Sequence, residues 1–209
     1  MTTFPTTIPK DSLLTLDHID HLTKNGYCVI ENVFDEAKCS QVREAMHDFL
    51  TSLGTGITKD QIREGTIQEE QMPYNLHGII TYPRQVGKEV LLTRFAPEVS
   101  QVFSALWNCK EEDLITSEDR ACFMQPSISS PSKVTPSWLH VDQPSGITGL
   151  QCVQGLVTIN NVSEQGGTLV VIPKSHLYHE KVAKASENAE AEKKKQQDIK
   201  KGKELKKST

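Results

Sequence analysis

The chain has 209 residues, a length that suits one ordinary domain with a substantial core. Hydrophobic residues make up 36% of the chain and charged residues 24%, which is ordinary for a soluble protein with a polar segment. The net charge of −4 is unevenly spread, because residues 181–209 carry about +5 and residues 1–180 about −9. The body is therefore acidic, and we expect no nucleic-acid binding by it.

The five cysteines are scattered along the chain and form no Cys-x-x-Cys pair. This pattern argues against a disulfide framework and a structural zinc site, and it favours a reducing compartment. The N-terminus lacks the apolar core of a signal peptide, and no stretch approaches 18 apolar residues. We therefore expect a cytoplasmic protein with no membrane span.

The predicted elements begin after an extended leader over residues 1–14. Thr15 is a suitable N-cap for a short helix, and Gly26 can end that helix. Residues 27–33 (YCVIENV) are rich in β-branched and apolar side chains and predict a strand.

A longer helix is predicted next, with Asp35 as its N-cap and an end near Leu53. Residues 54–85 are polar and interrupted by Gly and Pro, so they predict a long loop of the kind that often serves as a lid. Pro97 begins a further predicted helix.

From residue 120 onward, short apolar runs alternate with Pro, Ser and Gly clusters. Such closely spaced runs predict the strands of a β-sandwich or barrel. Residues 181–209 are mostly Ala, Glu, Lys and Gln, with few apolar residues, and they predict a Lys-rich helical or disordered tail. The expected organisation is a leader over residues 1–14, a domain over residues 15–180 and this tail.

The sequence His140-Val141-Asp142 is the main candidate site. Side chains alternate along a strand, so on the strand expected here the imidazole of His140 and the carboxylate of Asp142 point to the same side. An imidazole and a carboxylate supply two of the three ligands in the facial triad of non-haem iron enzymes. We therefore predict that His140 and Asp142 are metal ligands.

A second His-x-Asp sequence, His18-Ile19-Asp20, falls within the first predicted helix. Residues two apart on a helix point in diverging directions and cannot share a metal ion. We assign this pair to a solvated helix face.

Several further blocks place the His-x-Asp sequence in a family context. They are residues 25–33 (NGYCVIENV), 106–119, 140–143 (HVDQ), 149–157 (GLQCVQGLV) and 166–176 (GGTLVVIPKSH). In this order and spacing they resemble the phytanoyl-CoA dioxygenase family over roughly residues 15–180. The resemblance implies an α+β fold, with a double-stranded β-helix (jelly-roll, cupin-like) core and N-terminal helices packed outside it.

The same resemblance implies a chemistry. It implies an oxidoreductase that uses Fe(II), with 2-oxoglutarate and O₂ as co-substrates, and that hydroxylates an unactivated C–H bond of a small or lipid-like organic substrate. Succinate and CO₂ are the products formed from 2-oxoglutarate.

Three residues are candidates for binding the co-substrate. By resemblance, Gln125 and Gln154 line its pocket, although each could equally bond a neighbouring loop. Arg84, at the end of the predicted loop, could meet an anionic substrate or the tail of 2-oxoglutarate, although an exposed arginine usually does neither.

Members of the family take a third iron ligand from a later histidine and bind 2-oxoglutarate through an arginine that follows it. In this chain only His176 and His179 follow Asp142, and no arginine follows Arg120. By resemblance, His176 occupies a position that is usually structural. It is therefore a weaker candidate for a metal ligand than His140 and Asp142. The jelly roll is thus expected to be incomplete, and this chain alone to be poorly active and marginally stable.

Two other functions remain open from the sequence. The first is a catalytically dead relative that acts as a binding or regulatory module. The second is a cupin-like metal protein that uses His140, Asp142 and His176 without 2-oxoglutarate. The sequence leaves the oligomeric state undetermined.

Overall fold

The structure is a computed structural model that describes residues 3–71, 79–80, 88–116, 122–123, 139–143, 146–162 and 169–205. Within these ranges the chain forms six α-helices and three short 3₁₀ helices. The α-helices are α1 (Leu16–Asn25), α2 (Glu36–Ser52), α3 (Lys59–Glu64), α4 (Lys88–Arg94), α5 (Pro97–Trp107) and α6 (His179–Leu205). The 3₁₀ helices are Glu69–Gln71, Glu111–Asp113 and Ser175–Tyr178.

The predicted ends of α1 are confirmed. The Thr15 side chain accepts a hydrogen bond from the backbone N–H of His18, and the His18 ring lies close enough to the Thr15 N–H to complete a capping box. Gly26 ends the helix at φ 82°, a left-handed conformation that glycine adopts without strain.

The prediction for α2 is also confirmed. Asp35 caps it by accepting a hydrogen bond of 2.7 Å from the N–H of Lys38. Leu50 is fully buried on the inner face of this helix. α2 packs against α3 and α4, which hold the inner face of α2 away from water.

The prediction of a loop over residues 54–85 is wrong in part, because this stretch contains α3 and the 3₁₀ helix Glu69–Gln71. Thr58 and Gln61 form a capping box that begins α3. Residues 72–78 and 81–87 lie outside the described residues, so the prediction of a lid remains untested there.

Two hydrophobic clusters form the core. One contains residues of α2 and α3, of the segment between them and of the chain after α3: Met46, Leu50, Ile57, Ile62, Ile67 and Ile80. The other joins α1 to α5: Leu14, Ile19, Leu22, Ala105 and Leu106. Val153, from a later part of the chain, packs against this second cluster.

The strand predicted over residues 27–33 is not formed. Cys28 and Ile30 do pack against the second cluster while Val29 is exposed, as the alternating pattern requires. However, the segment pairs with no strand among the described residues, and a turn with Asn32 at φ 56° ends its extended course.

The later apolar runs likewise form no paired strand where the structure describes them. The one bridge among the described residues is antiparallel, between Ile79 and Cys122. Apolar side chains of the predicted strands are exposed, such as Val141 at 65% and Val170 at 67%. The double-stranded β-helix therefore remains a prediction.

The last helix, α6, runs from His179 to Leu205 in the Lys-rich tail. Ala183 is buried, whereas Val182 beside it is 58% exposed. Among the helices of the described ranges, none combines the length and the apolar character that a bilayer crossing requires.

Candidate metal site

His140 and Asp142 lie side by side. Nε2 of the His140 imidazole is 3.2 Å from Oδ1 of the Asp142 carboxylate. Residues 139–143 form neither helix nor paired strand, yet both side chains point to the same side, as the predicted alternation requires. The side chains are 47% and 60% exposed, so a metal ion and small molecules can reach them.

The separation of these two atoms suits a shared metal ion. Two ligand atoms in neighbouring positions of an octahedral site, each about 2.1 Å from the metal, lie about 3.0 Å apart. The observed 3.2 Å between Nε2 of His140 and Oδ1 of Asp142 is close to that value. The donor set, one imidazole and one carboxylate, fits Fe(II).

The second carboxylate oxygen of Asp142 has its own partner. The side-chain amide of Gln154 donates a hydrogen bond of 2.6 Å to Oδ2. The side-chain amide of the neighbouring Gln143 instead donates a hydrogen bond of 2.8 Å to the carbonyl oxygen of Ile147. Of these two glutamines, Gln154 is thus the one that contacts Asp142.

The described residues contain no group of three or more His, Cys, Asp or Glu side chains that could hold a metal ion. The structure places His176 against the end of α1, where its Nε2 lies 3.0 Å from the carbonyl oxygen of Thr23. Beside it, the N–H of Lys174 donates to the carbonyl oxygen of Asn25 at 2.8 Å. In this arrangement His176 joins two distant parts of the chain and does not complete the pair.

The chain is similar to known proteins over most of its length. Residues 22–207 match the family described as phytanoyl-CoA dioxygenase (PhyH). The chain belongs to this family. The resemblance predicted from the sequence blocks is thus confirmed.

A relative from Dictyostelium discoideum, described as a putative phytanoyl-CoA dioxygenase, is 32% identical over 119 residues. The match covers 56% of this chain but 34% of that protein, so the chain spans about a third of the length of its relative. No solved structure matches this chain. Phytanoyl-CoA dioxygenase family proteins have a jelly-roll fold.

Not every predicted site residue can be placed. Gln125 and Arg84, the other candidates for binding the co-substrate, lie outside the described residues. His179, the other histidine that follows Asp142, begins α6 with its Nε2 buried and without a hydrogen-bond partner in the part of the chain that the structure describes.

The other His-x-Asp sequence lies on α1, as predicted. Nδ1 of His18 is 3.1 Å from the backbone nitrogen of Thr15, within the capping box. Asp20 forms an ion pair of 2.7 Å with Lys24 on the exposed side of the helix. These two side chains therefore have local structural partners on the helix.

A polar cleft away from the ligand pair was not predicted from the sequence. It has a volume of about 430 Å³ and lies where α2 meets residues 158–161. Arg43 spans it, donating to the carbonyl oxygen of Ile159 at 2.8 Å and pairing with Glu36. The hydrogen bond of Arg43 thereby attaches the segment that follows Gln154 to α2.

Two of the five cysteines are poor candidates for a reactive centre. All five are free thiols. Burial raises the pKa of the Cys28 and Cys122 thiols, which keeps them protonated at neutral pH. Nucleophilic catalysis by these two thiols is therefore disfavoured.

Proposed function

We propose that this chain carries the iron-binding pair of an Fe(II)- and 2-oxoglutarate-dependent dioxygenase that hydroxylates a C–H bond of a small or lipid-like organic substrate. The observation that carries the proposal is the 3.2 Å separation between Nε2 of His140 and Oδ1 of Asp142. Membership of the phytanoyl-CoA dioxygenase family supports the reaction type. The family name does not identify the substrate.

The two ligands have distinct tasks. His140 supplies a neutral imidazole nitrogen, and Asp142 supplies a negative charge that offsets part of the charge of a divalent cation. Their exposure leaves the side opposite the protein open to a co-substrate and to O₂. When bound, the iron and 2-oxoglutarate would supply the oxidising chemistry, while the protein orients the reactants.

Recognition of the co-substrate is proposed to involve Gln125 and Arg84. An arginine can hold a carboxylate through two parallel hydrogen bonds, and its charge is permanent. Arg84 is a candidate for that task. The double-stranded β-helix around the site and a cytoplasmic location, which the five free thiols favour, are part of the same proposal.

A second candidate function is a catalytically inactive module that binds a ligand or a partner. It is favoured by the observation that the described residues bring together two candidate ligands and no third. Two ligands bind Fe(II) more weakly than three. The cupin-like alternative, with His176 as a ligand, requires this histidine to leave the carbonyl oxygen of Thr23.

The decisive experiment adds Fe(II) and then 2-oxoglutarate to the purified chain under anaerobic conditions. Chelation of Fe(II) by a 2-oxo acid gives a visible charge-transfer absorption, which we expect for the wild-type chain and not for the His140→Ala variant. Succinate formed after O₂ is admitted then separates the two candidate functions. Absorption without succinate supports the inactive module, and absence of the absorption contradicts the dioxygenase.

A further inference from the structure

The carboxylate of Asp142 has its two oxygens in different surroundings. Oδ1 faces Nε2 of His140 at 3.2 Å, and Oδ2 accepts a hydrogen bond of 2.6 Å from the side-chain amide of Gln154. A hydrogen bond to a carboxylate is stronger than one between neutral groups. The hydrogen bond from Gln154 leaves Oδ1 as the oxygen that can face a metal ion beside His140.

The backbone on each side of Gln154 is anchored. Val153 packs against the cluster between α1 and α5. A side chain on Gly155 would place its Cβ 3.1 Å from the Phe103 ring of α5, so the backbone passes this ring closely. Further along, the hydrogen bond between Arg43 and the carbonyl oxygen of Ile159 ties the same segment to α2.

Asp142, by contrast, has little other support. It is 60% exposed and lies within residues 139–143, which form neither helix nor paired strand. An exposed carboxylate on such a segment samples several rotamers, and fixing one of them costs conformational entropy when a metal binds. A hydrogen bond from an anchored residue restricts the carboxylate before the metal binds, so less conformational entropy is lost on binding.

We propose that Gln154 is a positioning residue that holds the Asp142 carboxylate through Oδ2 and presents Oδ1 to the metal. This inference rests on the proposed function, because it requires Asp142 to be a metal ligand. It gives the amide of Gln154 a task distinct from lining the co-substrate pocket. The interaction joins the ligand segment to the helical part of the fold.

The test is a titration of the purified chain with Co(II), an air-stable probe whose visible spectrum reports the number and geometry of its ligands. Gln154→Leu removes the amide at an exposed position, and we expect a metal affinity lower by about 10-fold or more together with a changed Co(II) spectrum. Gln151→Leu is the matched control. Gln151 is an exposed glutamine of the same segment that donates to the carbonyl oxygen of Thr148, at 3.2 Å.

A second variant guards against an effect of the new apolar side chain. Gln154→Asn keeps the amide but shortens the side chain by one methylene, so the amide no longer reaches Oδ2, and we expect most of the same loss of affinity. Wild-type affinity and spectrum in both Gln154 variants would overturn this inference alone. A wild-type chain that binds no Co(II) would overturn the proposed function and this inference with it.

Discussion

Nε2 of His176 lies 3.0 Å from the carbonyl oxygen of Thr23, so a single hydrogen bond joins residues 153 positions apart in the chain. A second contact nearby, from the N–H of Lys174 to the carbonyl oxygen of Asn25, strengthens the same junction. Together they satisfy carbonyl groups at the end of α1 that have no partner within the helix. In this structure the histidine that the cupin-like alternative needs as a ligand has a structural role.

Replacing His176 separates the structural role from the ligand role. His176→Ala removes the hydrogen bond to Thr23 and is expected to lower the free energy of unfolding by about 1 kcal/mol. Urea unfolding measures this change. The Co(II) affinity of the variant should equal that of the wild type, and loss of metal binding would favour the cupin-like alternative.

The close approach of His176 to α1 also restricts Gly26. A Cβ at Gly26 would collide with Nδ1 of the His176 ring, and the residue has φ 82°. Gly26→Ala therefore combines a clash with the cost of a left-handed alanine, which is about 1 kcal/mol or more. Gly54→Ala is a matched control, because Gly54 has φ 73° and no atom within 4 Å of its Cβ position.

We expect Gly26→Ala to lower the free energy of unfolding by about 1 kcal/mol more than Gly54→Ala does, and His176→Ala to remove that excess in the double variant. If the two glycine substitutions lowered the free energy of unfolding equally, the His176 ring would not restrict the space for a side chain at position 26.

His47 on α2 predicts a dependence of stability on pH. Burial lowers the pKa of His47 from its ordinary value of 6.5, and the nearby Glu44 carboxylate offsets part of this shift. As the pH falls, the His47 imidazole takes up a proton in the unfolded chain before it does so in the folded chain. The free energy of unfolding therefore decreases below about pH 6.5, and the stabilisation that comes from neutral His47 is fully present above that pH.

The measurement is urea unfolding of the wild type and of His47→Leu between pH 7.5 and pH 5. The wild type should lose more stability than the variant over this range, because only the wild type contains the histidine. The comparison cancels the carboxylates that titrate in both proteins. Parallel curves for the two proteins would contradict the lowered pKa.

The helix ends were predictable because their chemistry is local. Thr15, Gly26 and Asp35 act on backbone groups within a few residues, so the sequence around each contains the whole signal. The helix α3 was missed although Thr58 and Gln61 have the spacing of a capping box. The polar surroundings of this short helix concealed it.

The strands were not predictable to the same degree, because pairing depends on a partner far along the chain. The apolar run at residues 27–33 predicted a strand, but this segment pairs with no strand among the described residues. At the candidate site, the alternation of side chains predicted the common orientation of His140 and Asp142, although residues 139–143 form no paired strand. The hydrogen bond from Gln154 to Asp142 spans 12 residues and carries no local signal.

The most direct test compares the two His-x-Asp sequences of the chain by anaerobic titration with Fe(II). His140→Ala and Asp142→Ala should each abolish or strongly weaken binding, because each removes one of two ligand atoms that lie 3.2 Å apart. His18→Ala and Asp20→Ala, which alter the helical pair on α1, should bind as the wild type does. Wild-type affinity in the first two variants would contradict the assignment of His140 and Asp142 as iron ligands.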